Sequence, residues 1–125
     1  MGKRKILLID DEESFGFMIK LNLEQTGMYD VRVETQGKHA LKTVRQFMPD
    51  IIFLDLVMPD VDGTDVACQI KTDEKLKDIP LVFLTAAVTK EETTRHDGVI
   101  GGRPFLAKPV KVKDVIECIE KALSK

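Results

Sequence analysis

The chain has 125 residues, 43% of them apolar, which fits one ordinary domain with a core of its own spanning residues 1–125. Nineteen basic and twenty-one acidic residues are spread along it for a net charge of -2, so no basic face is built for phosphate backbones and direct nucleic-acid binding is not expected. Neither a signal-peptide core nor a membrane-spanning apolar run occurs, and "MGKRKI" lacks the Ser or Thr that a myristoylation signal needs at its sixth position.

Apolar runs bounded by turn signals at Ile6 to Ile9, Ile51 to Leu54 and Leu81 to Leu84 read as strands buried on both faces. Tyr29 to Glu34 alternates, with Val31 and Val33 on one side, and Pro104 to Ala107 is a short run whose proline suits only a strand's first position or an edge. Between the strands lie segments of helical length: Ser14 to Thr26 closed by Gly27, Gly37 to Met48 closed by Pro49, Gly63 to Thr72, and Lys111 to Ser124. Thr89 to Asp97 has helical length but no apolar stripe, and a short, marginal helix is expected there. Cys68 and Cys118 have no metal-ligand spacing and are expected as buried, reduced thiols, which suits a cytoplasmic protein. Alternating strands and helices imply an α/β fold: one parallel sheet with right-handed crossovers and helices on both faces.

In such a sheet, ligands sit at the carboxyl ends of the strands. There the first strand ends in Asp10 and Asp11, the third in Asp55 and the fourth in Thr85, and the fifth is followed at once by Lys108. A carboxylate pair about 4 Å apart repels by roughly 4 kcal/mol at an effective dielectric near 20. Lys108 offsets only one unit, which leaves room for a divalent cation, and carboxylate oxygens favour magnesium or manganese over zinc. Thr85 and Lys108 suit the oxygens of a phosphoryl group in transfer, with Asp55 as the nucleophile. Each residue alone has a plainer reading: Asp11 or Glu13 as a helix cap, Thr85 as a strand end, Lys108 as a surface charge. Their convergence at strand ends on one side is what carries the chemistry.

"LLIDDE", "FLDLVMPDVDG", "VFLTA" and "FLAKP" stand in the order and spacing of the receiver domain of two-component response regulators, which the chain resembles from Lys5 to about Leu123. The resemblance implies a flavodoxin-like, doubly wound, five-stranded sheet of order 2-1-3-4-5. It implies a signalling domain, not an enzyme acting on an external substrate, in which Asp55 takes a phosphoryl group from a sensor histidine kinase or phosphotransfer protein and passes the signal to a downstream partner. Asp10 and Asp11 would hold Mg2+ with Asp55 and the carbonyl of Val57; Thr85 and Lys108 would bind the phosphoryl oxygens; Lys108–Pro109 would be cis. Phe105 falls where the family places an aromatic switch that packs inward when Thr85 moves, and the two would report to Thr89 to Asp97. Gly101-Gly102 and Arg103-Pro104 depart from the family's usual residues, which bears on the output face. Val57 and Ala87 flank the site with apolar side chains, so no unusually fast self-dephosphorylation is expected.

Four rival readings come from the same residues. "DVDGT" at Asp60 to Thr64 matches the signature of haloacid-dehalogenase-type phosphatases, but Asp60 follows Pro59 in a loop and does not directly follow a strand. An EF-hand loop fails at Met58 and Gln69, and a flavin phosphate would be repelled by "DDEES". A receiver-like interaction module that is never phosphorylated would have lost a site residue, and none is missing.

Overall fold

The computed structural model describes residues 2–85, 99–100 and 103–124, the side chains of residues 85, 99, 100, 103 and 104 excepted. Strands β1 (Arg4–Ile9), β2 (Tyr29–Glu34), β3 (Ile51–Asp55), β4 (Leu81–Thr85), β5 (Val99–Ile100) and β6 (Arg103–Ala107) alternate with helices α1 (Glu13–Gln25), α2 (Ala40–Phe47), α3 (Gly63–Lys71) and α4 (Val112–Leu123). The sheet order is β2-β1-β3-β4-β6-β5, so the five long strands, all parallel, stand in the flavodoxin-like order 2-1-3-4-5.

The continuous apolar runs are explained by burial on both faces. Ile6 and Leu8 of β1, Ile51 and Phe53 of β3, and Val82 and Leu84 of β4 join Ile19 and Leu23 of α1 and Val115 and Ile119 of α4 in one core. The intervening residues Leu7 and Ile9, Ile52 and Leu54, and Leu81 and Phe83 join Val44 of α2 and Val66 and Ile70 of α3 in the other. Because strand side chains alternate, a one-residue slip of any central strand would exchange its two faces, and the paired cores fix the register. That register sets Ile9 beside Leu54 and Asp55 beside Leu84, and it brings the carboxyl ends of β1, β3 and β4 to one edge.

Several expectations are refined or corrected. The segment from Gly37 opens with a 3-10 turn, Gly37–His39, before α2, and α2 closes at Met48 in the left-handed region at φ 50, one residue ahead of Pro49. Pro104 is the second residue of β6 instead of the first, and β6 carries an antiparallel partner, β5, that was not anticipated. Cys68 is exposed, which corrects its expected burial: Val66, Ala67 and Ile70 form the inward stripe of α3 and leave Cys68 outside it. Cys118 is partly buried, and burial pushes its thiol pKa up. The expected marginal helix Thr89 to Asp97, Ala87 and Gly101-Gly102 lie outside the described residues.

Candidate phosphoryl-transfer site

β1 delivers Asp10 to the carboxyl edge with no exposure, and β3 delivers Asp55 with 5%. One oxygen each from Asp10, Asp11 and Asp55 can be chosen so that all three lie within 4.8 Å of one another. At that separation each ionised pair costs about 3–4 kcal/mol at an effective dielectric of 20, so the cluster is held by the fold against its own repulsion.

The countercharge arrives from the loop after β6. Lys108 Nζ stands 2.6 Å from Asp10 Oδ2, 2.7 Å from Glu12 Oε1 and 3.6 Å from Asp55 Oδ2. The Lys108–Pro109 peptide is cis, as expected, and the buried Val110 follows it into the core. Asp55 Oδ1 accepts a hydrogen bond from Val57 N–H at 3.2 Å, while the Val57 side chain is turned out to solvent. Burial first, then the charges of Asp10 and Asp11, push the Asp55 pKa up to about 6 against the opposing pull of Lys108 and Val57 N–H. Burial alone would lower the pKa of Lys108, but the adjacent carboxylates of Asp10 and Glu12 outweigh it and raise it, so the ammonium keeps its charge.

The donor set fits a hard divalent cation. The acid cluster offers carboxylate oxygens, and among the described residues the buried Asp10 Oδ2 accepts no hydrogen bond, meeting Lys108 as an ion pair. Such a set suits Mg2+ or Mn2+.

Of the residues singled out in the sequence, Asp10, Asp11, Asp55 and Lys108 come together, with Val57 adjacent. The backbone of Thr85 ends β4 opposite Ala107; its hydroxyl lies outside the described side chains. Phe105 packs inward, 4% exposed, in the core that also holds Phe83, its register neighbour on β4. Neither Asp11 nor Glu13 caps α1: the cap position falls to Glu12, whose side chain makes no capping bond and reaches Lys108 instead, while Asp10 Oδ1 accepts from Glu12 N–H at 2.9 Å. Glu12 was the residue missed in the sequence, although "DDEE" placed it beside the acid pair.

The "DVDGT" aspartates are engaged elsewhere. Asp60 Oδ2 accepts from Lys38 N–H at 3.0 Å, and Asp62 Oδ1 accepts from Thr64 N–H at 2.8 Å and Thr64 Oγ1 at 2.7 Å, capping α3. Those bonds lower both carboxyl pKa values, and both groups are exposed and stand outside the Asp10–Asp11–Asp55 cluster. α3 begins directly against β3: Gly63 N–H donates to the Leu56 carbonyl at 3.0 Å, and a Cβ at Gly63 would press on the Asp55 carbonyl and come within 2.7 Å of Leu56 Cα.

Comparison with known proteins agrees with this geometry. The chain is 34% identical over 113 residues to the DNA-binding dual master transcriptional regulator RpaA of Synechocystis, covering 90% of this chain and 46% of that protein. It is 30% identical over 122 residues to the polar-differentiation response regulator DivK of Brucella ovis, covering 96% of each. The solved receiver domain of HemR from Leptospira biflexa, in its non-phosphorylated form, superposes with a TM-score of 0.78 at 34% identity, covering 98% of this chain and 96% of that one. The chain thus spans about half the length of the first of these relatives, at 46%, and nearly all of the second, at 96%. The family profile described as the response regulator receiver domain matches residues 6–120, and the chain belongs to that family of two-component signalling domains.

Proposed function

We propose that Asp55 is the phosphoacceptor of a two-component phosphorelay, taking its phosphoryl group from the phosphohistidine of a sensor kinase or phosphotransfer protein. The observation that carries this is a buried carboxylate, 5% exposed, at the end of β3 with Lys108 Nζ 3.6 Å away and two further carboxylates within 4.8 Å. A pKa near 6 leaves Asp55 ionised and nucleophilic at neutral pH, while burial keeps its lone pairs poorly hydrated.

In the transfer, an Asp55 oxygen forms a bond to phosphorus as the phosphorus–nitrogen bond breaks. The bonding pair returns to the imidazole, whose other ring nitrogen keeps its proton, so the leaving group is neutral. Lys108 meets the phosphoryl oxygens, and Thr85 supplies a hydroxyl to them. Asp10, Asp11, Asp55 and the Val57 carbonyl would hold Mg2+, or Mn2+, which when bound neutralises charge on the transferring group. The acyl phosphate carries about two negative charges and three acceptor oxygens where one carboxylate charge stood. A few charge-assisted bonds to Lys108 and Thr85 are of the order of the roughly 5.5 kcal/mol that inverts a 1:99 population. Thr85 and Phe105 then carry the change toward residues 89–97 and the downstream partner. The domain turns over no external substrate, and its setting is the cytoplasm.

Intact-mass spectrometry after incubation with acetyl phosphate and magnesium tests this. Wild type gains one phosphoryl mass and Asp55→Asn gains none; equal labelling of the two, or none of either, removes Asp55 from the role.

A further inference from the structure

Lys108 is not aimed at Asp55. Its ammonium lies 3.6 Å from Asp55 but 2.7 Å from Glu12 Oε1, and it sits over the Phe15 ring at 4.8 Å from the centroid. Glu12 and Phe15 both come from the start of α1, 96 positions away from Lys108 in the case of Glu12. Asp10 Oδ2 is closer still at 2.6 Å, but it belongs to the buried acid cluster itself and lies on the Asp55 side of the lysine's partners. Glu12 is different: its side chain is 57% exposed, it makes no capping bond to its own helix, and among the described residues it pairs with Lys108. A ring face and a carboxylate converging on one ammonium form a holder for a cation. A phosphoryl group on Asp55 would bring new acceptor oxygens within reach of an ammonium 3.6 Å away, in competition with Glu12.

We propose that Glu12 and Phe15 form a clasp that holds Lys108 off Asp55 in the resting protein, and that arrival of a phosphoryl group draws the ammonium out of it. This rests on Asp55 being the phosphoacceptor. Glu12 is a positioning residue: it acts only through Lys108, and it sets how readily the lysine is surrendered. The exchange favours the phosphorylated state, because Lys108 leaves one singly charged, exposed carboxylate for a phosphoryl dianion, and the released Glu12 is rehydrated at the rim of the site. An ion pair of this exposure biases the resting position by a modest factor, which suits a contact that must be broken on each cycle.

Two variants separate a clasp from a mere charge. Glu12→Gln keeps the length and removes the charge; Glu12→Asp keeps the charge and shortens the reach. If Glu12 clasps Lys108, both phosphorylate from acetyl phosphate about 1.5- to 5-fold faster than wild type. Both should also shift the Lys108 Cε and Nζ NMR signals of the unphosphorylated protein. Glu13→Gln, with the same charge change one position along, should move neither reading. Glu12→Asp behaving as wild type in rate and in the Lys108 signals overturns the clasp and leaves Glu12 as a distant charge. Lys108 signals that move in the variants while no form accepts phosphate would sink the phosphoacceptor reading and the exchange together, leaving a static ion pair.

Discussion

Asp55→Asn should make the metal-free protein more stable at neutral pH, and the gain should vanish in acid. Burial and Asp10 raise the Asp55 pKa from an ordinary 3.8 to about 6. The folded protein therefore binds that proton more tightly than the unfolded chain does. Stability associated with the group is fully present below 3.8 and is lost as the pH rises through about 6. At about 1.4 kcal/mol per tenfold change in proton affinity, the ionised carboxylate costs at most about 3 kcal/mol above pH 6. Water reaches the Asp11 and Glu12 side of the hollow and screens the charges, which brings the expected figure to about 1–2 kcal/mol. Asparagine keeps the shape and an acceptor for Val57 N–H but carries no charge, so it stands in for the protonated acid. Urea unfolding in a chelator at pH 4 and at pH 7.5 measures the difference directly. The variant should lead wild type by about 1–2 kcal/mol more at pH 7.5 than at pH 4. Adding magnesium should narrow the lead, since the variant lacks one ligand. A lead that does not change with pH would show that Asp55 is not strained by its neighbours, and the electrostatic account of the site would fail.

Gly63→Ala places a methyl group against backbone atoms of Asp55 and Leu56 that cannot move without shifting the end of β3. Chemical denaturation should show a loss of about 2 kcal/mol or more, with acetyl-phosphate labelling of Asp55 falling alongside it. Glu24 Oε2 accepts from Val31 N–H and from Lys20 Nζ, each at 3.0 Å, and those bonds, the Val31 one foremost, lower its pKa. Its contribution is present above the ordinary carboxylate value of 4.5 and is lost as the pH falls through the lowered one. Glu24→Gln should therefore cost about 0.5–1 kcal/mol in urea at pH 7 and nothing in strong acid. Of the two free thiols, exposed Cys68 should react with a disulfide reagent roughly tenfold faster than Cys118, whose pKa burial has raised; comparing Cys68→Ser with Cys118→Ser assigns the phases.

The parts of the fold legible in the sequence are those whose pattern has one physical cause. β1, β3 and β4 read as continuous apolar runs because helices cover both of their faces, and their burial extends over Ile6 to Ile9, Ile51 to Leu54 and Leu81 to Leu84. β2 alternates because it lies at the edge of the sheet, with Asp30 and Arg32 exposed between the buried Tyr29 and Val31 and the partly buried Val33. The two residues of β5 carry no period at all, so only the pairing of Val99 with Pro104 and Ile100 with Arg103 reveals that strand. Asp10, Asp55 and Lys108 were legible because each stands at the end of a strand, where topology alone decides what meets. Glu12 was not, because it belongs to a helix start, where an acid has a sufficient local reason to exist in the dipole and the cap. Cys68 was misjudged for a related reason: cysteine favours burial on average, whereas its position relative to Val66, Ala67 and Ile70 sets its side of α3.

What lets a repulsive cluster persist is that no member of it chooses its own position. Asp10 follows Ile9 and Asp55 follows Leu54, two fully buried residues paired across neighbouring strands. Separating the carboxylates would mean sliding β1 against β3 and turning two hydrophobic cores inside out, a cost far above the few kcal/mol of repulsion between acids. The strain is therefore stored at the edge of the sheet, and it adds to burial, the larger cause, in raising the Asp55 pKa. A group held in that condition gains from any event that draws positive charge toward it. Lys108, shared among Asp10, Glu12 and Asp55 at 2.6, 2.7 and 3.6 Å, is the charge within reach that can be redistributed. On the proposed reading, phosphorylation at Asp55 works by moving that one ammonium, so the signal begins as a change in which carboxylate the lysine serves.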